Sequence, residues 1–386
     1  MSENNQFDVT ETTSWFTRIK NAFFGVIIGI VFFIGSIFLL AWNEKRAVET
    51  YNTLVEGQKL VYTISPTEIN PKDNGKLVHL FGFATTHEIL TDPIFNISQN
   101  AIWLKREVSM FQWKEDEKSE TKHNTGGSTT THHTYTYEKV WSSSLIASSK
   151  FKYPAEHQNP VNWPYASDIW QAKVVNLGAF VLSQDQIEDM DSFQPLPVNI
   201  TELPEKLKEQ IMPLNEGYYL GSDPSQPQVG DLKIQYLVVK PADITIIAKQ
   251  IGNTFEPFHA RAGGTISMLE IGKHSTEYMF AKAFEMNELM TWGLRIGGMV
   301  LMWLGLSLLL KPIAVFADFL PLFGMIANAG IGFITFLSAL TISFTVIGIF
   351  WVAYRPVVGS LLVITGFVFF IVGLLFKKQK ASIKNN

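Results

Sequence analysis

Four long apolar runs divide the chain into segments. They lie at residues 22–42, about 292–310, about 328–351 and 357–376. A helix needs about 20 apolar residues to cross a hydrocarbon core of about 30 Å, and each run approaches that length. We therefore predict four transmembrane helices, one near the N-terminus and three near the C-terminus.

The limits of the middle spans are set less clearly by the pattern. Residues 321–354 form an uncharged stretch of roughly 34 residues, which is long for one helix and short for two helices with a turn. We place the third span at about 328–351 and leave 321–327 at the membrane interface. Lys311-Pro312 is expected to end the second span, and the apolar segment 313–323 is expected to lie on the inner leaflet.

The long segment 43–291 shows a different pattern. Residues 43–60 have the 3.6-residue period of a short helix, and period-two alternation then dominates, most clearly in 101–114 and 135–141. We interpret these two as strands of a long hairpin with a mobile polar tip, and we expect residues 1–13 to be disordered. The predicted fold class is an α+β membrane protein with four transmembrane helices and a large β-rich extracytoplasmic domain between the first and second.

The orientation follows from the basic residues. The tail 377–386 carries four lysines (Lys377, Lys378, Lys380 and Lys384), and cytoplasmic flanks are enriched in Lys and Arg. Four spans then place segment 1–21, with Arg18 and Lys20, in the cytoplasm as well. The predicted domains are this segment, helix 22–42, the extracytoplasmic domain 43–291, the membrane domain 292–376 and the cytoplasmic basic tail 377–386.

Composition removes several kinds of chemistry. The net charge of -4 provides no basic field for nucleic acid, so no nucleic-acid partner is expected. The absence of cysteine excludes disulfides, thiolate catalysis and Cys-ligated metals. We predict no cofactor. Three histidines of the polar tip, His123, His132 and His133, could bind a metal, but they lack a carboxylate at fixed spacing, and solvent exposure is the favoured interpretation.

Two features of the spans suggest specific contacts. The pairs Gly25/Gly29 and Gly293/Gly297 have small-xxx-small spacing, which lets another helix approach closely. Arg295 lies just inside the second span, where an unpaired charge is costly. It could snorkel to the outer headgroups, hold a lipid phosphate or pair with a carboxylate; we single it out as a candidate lipid headgroup contact.

Several short motifs resemble the transmembrane protein 43 family, also called LUMA. The resemblance covers nearly the whole chain, and the shared order of the motifs makes it specific. They are Asn43-Glu44-Lys45-Arg46-Ala47, Met110-Phe111-Gln112-Trp113-Lys114-Glu115, Tyr135-Thr136-Tyr137 with Trp141, His157-Gln158-Asn159-Pro160, Gly230-Asp231, Thr291-Trp292-Gly293-Leu294-Arg295 and Tyr354-Arg355-Pro356.

The resemblance implies a four-span protein without established enzymatic activity. In animals the family sits in the endoplasmic reticulum and inner nuclear membrane, where it is associated with nuclear envelope organisation, with lamin and emerin, and with self-association. The corresponding location in a bacterium would be the inner membrane, with the domain in the periplasm. The partners implied are membrane lipids, other copies of the chain, and membrane or envelope proteins.

Three functions were weighed. The favoured one is a membrane scaffold that self-associates and recruits partners through its outer domain, without enzyme activity. The alternative is a lipid-binding or lipid-modifying protein at the outer face, for which five residues could gather in a cleft: His157, Asp168, His259, Glu270 and His274. A channel is disfavoured because the spans hold almost no internal polar groups.

Overall fold

The computed structural model describes residues 5–214, 216–319 and 321–354, and beyond them 357, 359–361, 363–368 and 371. It is a mixed structure of long apolar helices and a β-rich region, which confirms the predicted fold class. Within the described residues the chain divides into two compact units. The first comprises residues 5–7, 53–117 and 135–281, and the second comprises 8–52, 118–134 and the chain from 282 onwards.

The helices are α1 (Trp15–Leu60), α2 (Gln184–Glu188), α3 (Glu205–Lys208), α4 (Thr276–Ala317) and α5 (Pro321–Tyr354). Short 3-10 turns occur at Pro71–Asp73, Ser148–Lys150 and Ile200–Glu202. The strands are β1 (Gln6–Thr13), β2 (Tyr62–Thr63), β3 (Leu77–Thr85), β4 (Ile89–Asp92), β5 (Ile97–Asn100), β6 (Trp103–His123), β7 (Thr129–Ser142), β8 (Asp168–Gln171), β9 (Asn176–Leu177), β10 (Phe180–Val181), β11 (Gln194–Pro195), β12 (Ile211–Leu214), β13 (Gly217–Leu220), β14 (Leu232–Val239), β15 (Ala242–Ile251), β16 (Thr254–Glu256), β17 (Phe258–His259), β18 (Thr265–Ile266) and β19 (Met268–Ile271).

Two main sheets contain most of the strands of the first unit. One has the order β1-β7-β6-β14-β13-β12, with β8 also paired to β6 and β11 to β14. The other has the order β10-β9-β3-β15-β16, with β2 paired to β3 and β19 to β15. Apolar residues from both sheets form one core, among them Leu80 of β3, Val108 of β6, Ile234 of β14 and Ile246 of β15. The alternation predicted for residues 101–114 is confirmed, because Leu104, Arg106, Val108, Met110 and Gln112 are all buried.

Helices α1, α4 and α5 dominate the second unit. A small apolar cluster joins them through Leu40 of α1, Met302 of α4, and Ala339 and Ile347 of α5. Each of these three helices holds a window long and apolar enough to cross a membrane. The fourth predicted span, 357–376, is described only in part, as an apolar helix at Gly359–Val368. Residues 372–376, the tail 377–386 and the turn residues Arg355 and Pro356 lie outside the described residues.

The helices are longer than predicted. Helix α4 continues through Lys311 and Pro312 to Ala317, so the predicted end at Lys311-Pro312 is wrong. A proline removes one helical hydrogen bond, but in an apolar environment the remaining backbone groups have no better partner than the helix. Residues 321–354 form one helix of 34 residues, where a span at 328–351 with a separate approach was predicted.

The polar ends of the hairpin are more ordered than predicted. Strand β6 runs to His123 and β7 begins at Thr129, which leaves Asn124–Ser128 as the turn. Residues 6–13, predicted to be disordered, form strand β1 beside β7. Both differences have one cause. Strand pairing satisfies backbone groups whatever the side chains are, so a polar sequence can be ordered at a sheet edge.

Candidate functional site

A buried ion pair links α1 to α4 where both helices leave the apolar run. Arg295 donates from Nε to Oε1 of Glu44 over 2.7 Å and from Nη2 to Oε2 over 2.8 Å. Trp351 of α5 donates its indole N–H to Oε2 of the same carboxylate at 2.5 Å. The Glu44 side chain is 1% exposed. Three helices therefore converge on one carboxylate, and a two-pronged Arg–carboxylate contact fixes its geometry.

Aromatic rings shield this ion pair. The Arg295 guanidinium carbon lies 4.8 Å from the centre of the Trp292 ring and 5.5 Å from that of Trp351. Such contacts stabilise a cation and exclude water from it. The sequence analysis singles out Arg295 as a candidate lipid headgroup contact and names a carboxylate partner as an alternative. The structure places Arg295 on the Glu44 carboxylate.

A second arginine lies next to this pair. Arg46 donates to Oδ1 of Asn287 at 3.1 Å, to Oδ1 of Asn43 at 3.2 Å and to Oγ1 of Thr291 at 2.9 Å. Asn43 donates in turn to the Thr291 carbonyl at 3.0 Å. We call these residues together with Glu44, Arg295 and Trp351 the Glu44 cluster. It joins α1 and α4 through side chains of both helices.

A second polar cluster lies at the other end of the α1–α4 pair. Arg18 and the buried Asp318 form an ion pair at 2.5 Å. Trp15 donates its indole N–H to the Val315 carbonyl at 2.9 Å. We call these four residues the Asp318 cluster. About 26 residues of α1 separate Arg18 from Glu44, which is about 39 Å of helix and close to the thickness of a bilayer with its interfaces.

The hairpin turn contacts the Asp318 cluster. Arg18 donates to the Gly127 carbonyl, Gly126 N donates to the Phe319 carbonyl at 3.2 Å, and His123 Nδ1 lies 3.0 Å from Asp318. Along β1, Thr10 contacts His132 at 2.9 Å. These contacts join segments that the sequence analysis assigned to opposite sides of the membrane. The assignment of sides therefore remains a prediction, with a labelling test given in the Discussion.

Small residues allow α1 and α4 to approach closely between the clusters. A Cβ at Gly29 would lie 2.9 Å from the Gly305 carbonyl oxygen, and one at Gly305 would lie 2.7 Å from Phe33 N. Gly25 lies beside Leu308. Gly293 and Gly297 behave differently, because a Cβ at either position would meet nothing within 4 Å. Gly25 and Gly29 thus pack within the chain, whereas Gly293 and Gly297 lie on an open face.

The five residues considered for an enzymatic cleft do not gather at one place, although two of them share a neighbour. His157 is buried and stacked 3.7 Å from the Tyr137 ring. Asp168 is 57% exposed beside Arg106. His259 lies in the short ribbon of β17 and β18. Glu270 and His274 both neighbour Thr245 of β15, and His274 stacks on Tyr278. Among the described residues, the hairpin included, no three His, Asp or Glu side chains lie close enough together to hold a metal ion.

A buried charged group of the first unit was missed. Arg106 on β6 pairs with Asp92 on β4, and Tyr236 on β14 donates to the same carboxylate at 2.6 Å. Burial and this hydrogen bond raise the pKa of Tyr236 above its usual range. The sequence did contain a signal, because the alternation placed Arg106 among aliphatic residues. A buried arginine needs an anion, but the pattern does not identify which one.

The arrangement holds the helices together. One ion pair lies at each end of the α1–α4 pair, and between them the sequence has no charged residue at 21–43 or 296–310. A path for ions or polar substrates requires polar groups at the membrane centre. The two clusters are therefore best understood as clamps that fix the register of α1 against α4.

Comparison with known proteins identifies similar chains. The family model for transmembrane protein 43 matches residues 110–356. Transmembrane protein 43 of Rattus norvegicus is 31% identical over 358 residues, which cover 89% of this chain and 88% of the rat protein. The Homo sapiens protein of that name is 31% identical over 352 residues, covering 88% and 86%.

A more distant relative shows the same coverage. The transmembrane protein 43 homolog of Drosophila melanogaster is 28% identical over 351 residues, which cover 88% of this chain and 91% of the fly protein. No solved structure matches the chain significantly. The similarity thus extends across both compact units rather than resting on the apolar helices alone.

Proposed function

Since the chain belongs to the transmembrane protein 43 family, we propose that it is a multi-pass membrane scaffold. It self-associates in the membrane and recruits membrane or envelope proteins through its β-rich domain. The observation that carries this proposal is the internal pairing at both ends of the α1–α4 pair. Helices joined by an ion pair at each end form a rigid anchor, and such an anchor serves assembly better than transport or catalysis.

The proposed location follows from the same reasoning. The chain is an integral membrane protein with both termini in the cytoplasm. It resides in the endoplasmic reticulum and inner nuclear membrane if the source cell is eukaryotic, or in the inner membrane with a periplasmic domain if it is bacterial. The proposal assigns the chain no catalytic step.

The face of α4 that carries Gly293 and Gly297 is the proposed surface for self-association. Its large residues are well exposed, namely Trp292, Ile296, Val300 and Leu304. Glycines among large apolar residues leave a shallow groove, into which the ridge of a second helix can pack with close backbone contact. The opposite face of α4, with Gly298, Met302 and Gly305, is already covered by the chain itself.

Mass spectrometry of protein extracted in mild detergent, with lipids retained, tests the proposal. We expect a discrete oligomer that is converted to monomer by Gly293→Leu and Gly297→Leu. A Cβ at either position meets no atom of the described residues within 4 Å, so we expect the fold to be preserved. Gly35→Leu is the matched control, because Gly35 of α1 is equally open. A wild-type protein that is monomeric at every concentration and captures no other protein would contradict the scaffold.

A further inference from the structure

The charges of the Glu44 cluster do not balance. Glu44 supplies one negative charge, and both of its carboxylate oxygens are engaged by Arg295. Arg46 supplies a second positive charge, but it is bound only by the neutral oxygens of Asn43, Asn287 and Thr291. In the part of the chain that the structure describes, no carboxylate forms an ion pair with Arg46. The cluster therefore carries an excess positive charge.

Arg46 also has an unused donor. Its Nε is buried and has no hydrogen-bond acceptor among the described residues. A guanidinium that binds a phosphate commonly does so with two parallel N–H groups, one of which can be Nε. The side chain thus has a charge without a counter-charge, and its buried Nε is a donor that an anion would satisfy if the Arg46 side chain turned to expose it.

The depth of the site indicates which anion is available. Trp42, one turn before Arg46 on α1, and Trp292 on α4 are both more than half exposed. Exposed tryptophans at the ends of membrane helices mark the headgroup region, where lipid phosphates lie. The neighbouring Lys45 does not share this role, because it is exposed and lies 3.5 Å from Glu49.

We propose that Arg46 binds the phosphate of a phospholipid headgroup at the rim of the α1–α4 pair. The phosphate supplies the missing negative charge, and the acyl chains lie along the exposed apolar residues below it. The bound lipid is then a component of the clamp, since it neutralises the cluster that holds α1 to α4. This inference does not depend on the chain being a scaffold.

Native mass spectrometry of the full chain in mild detergent provides the test. The protein is incubated with dioleoyl phosphatidylglycerol, with dioleoylglycerol, which has the same chains without phosphate, or with inorganic phosphate. We expect the protein to retain dioleoyl phosphatidylglycerol and neither of the other two ligands. Arg46→Gln is expected to reduce that retention at least about tenfold, because the charged donor is lost. Lys45→Gln, the matched control, is expected to change it by less than about twofold.

A second variant separates binding from folding. Asn287→Asp keeps Arg46 and places a carboxylate where the amide oxygen now accepts its hydrogen bond. This internal anion should displace the phosphate, so retention should fall while thermal stability is kept or raised. The proposal would be overturned if Arg46→Gln or Asn287→Asp retained phosphatidylglycerol as well as the wild-type chain does. Equal retention of dioleoylglycerol by the wild-type chain would also overturn it. Binding of inorganic phosphate that competes with the lipid would assign the site to a soluble anion instead.

Discussion

Glu44 and Arg295, 251 positions apart in the sequence, form a two-pronged ion pair across the contact of α1 and α4. Neither side chain has much access to water, with exposed fractions of 1% and 13%. A buried pair of this kind contributes little beyond an apolar pair, but the loss of one partner leaves an uncompensated charge. The ion pair is therefore expected to be intolerant of single substitutions.

The first prediction concerns this pair. Arg295→Gln should lower the free energy of unfolding by about 3–5 kcal/mol, because the buried Glu44 would lose the guanidinium that hydrogen-bonds to both of its carboxylate oxygens. SDS titration of the detergent-solubilised protein, followed by helicity, measures the loss. Lys45→Gln serves as the control, since the exposed Lys45–Glu49 pair is worth at most about 1 kcal/mol. A similar small loss for both variants would show that the nearby Arg46 can balance the charge of Glu44 when Arg295 is absent.

The packing between the clamps gives a second prediction. Gly305→Val would place Cβ 2.7 Å from Phe33 N and 3.0 Å from the Gly29 carbonyl oxygen. Both atoms belong to the backbone of α1, so the helices must separate, at a cost of about 1–3 kcal/mol. The same titration should show no comparable loss for Gly35→Val, since that position is open. Equal stability of the two variants would argue against close contact at Gly305.

The third prediction concerns the buried charge in the β-rich unit. Arg106→Leu should destabilise this unit by about 3–5 kcal/mol, because Asp92 is fully buried. Combining it with Asp92→Leu should recover part of the loss, as the two residues are directly coupled. Asp168→Asn is the control, because Asp168 is exposed and 4.0 Å from Arg106. Tryptophan fluorescence follows unfolding, and its signal includes Trp170, whose ring contacts Arg106. A double variant no better than Arg106→Leu would contradict the coupling.

Much of this arrangement could be predicted from the sequence, and the exceptions share one cause. Apolar runs and alternation follow local rules, so α1 and the buried face of β6 were identified correctly. Pair partners are set by tertiary packing, so the sequence suggested that Arg295 could have a carboxylate without identifying Glu44. The same holds for Asp92 and Arg106. Strand β1 was missed because its ordering comes from β7 rather than from its own side chains.

Alkaline pH should weaken the β-rich unit. Tyr62 donates to Asp73 at 2.5 Å, and burial together with this hydrogen bond raises the pKa of Tyr62 to about 12 from its usual 10.0. Between these values the folded chain keeps a proton that the unfolded chain releases, so the free energy of unfolding falls as pH rises. The contribution is complete below pH 10. The pKa of Tyr236 is raised as well, so Tyr62→Phe should reduce the slope of this dependence without abolishing it in unfolding titrations from pH 8 to 12. An unchanged slope would exclude a contribution from Tyr62.

The absence of cysteine makes the orientation directly measurable, because any introduced thiol is unique. Lys20 and Lys173 are both exposed, and α1 separates them as a candidate span. A membrane-impermeant maleimide added to sealed vesicles should therefore label Lys20→Cys and Lys173→Cys from opposite sides. Labelling of both from one side would refute the span.

The hairpin turn is the informative third position for the same reagent. Residues 114–134 contain charged side chains and no apolar run, and an exposed sheet edge does not occur in hydrocarbon. Thr121→Cys is exposed and reports where this segment lies. Labelling of Thr121→Cys from the same side as Lys173→Cys would show that the hairpin lies in water beside its own domain. Labelling of Thr121→Cys from the same side as Lys20→Cys would show that the turn remains on the Asp318 cluster in the membrane. The strands that lead to the turn would then have to be shielded from lipid by protein.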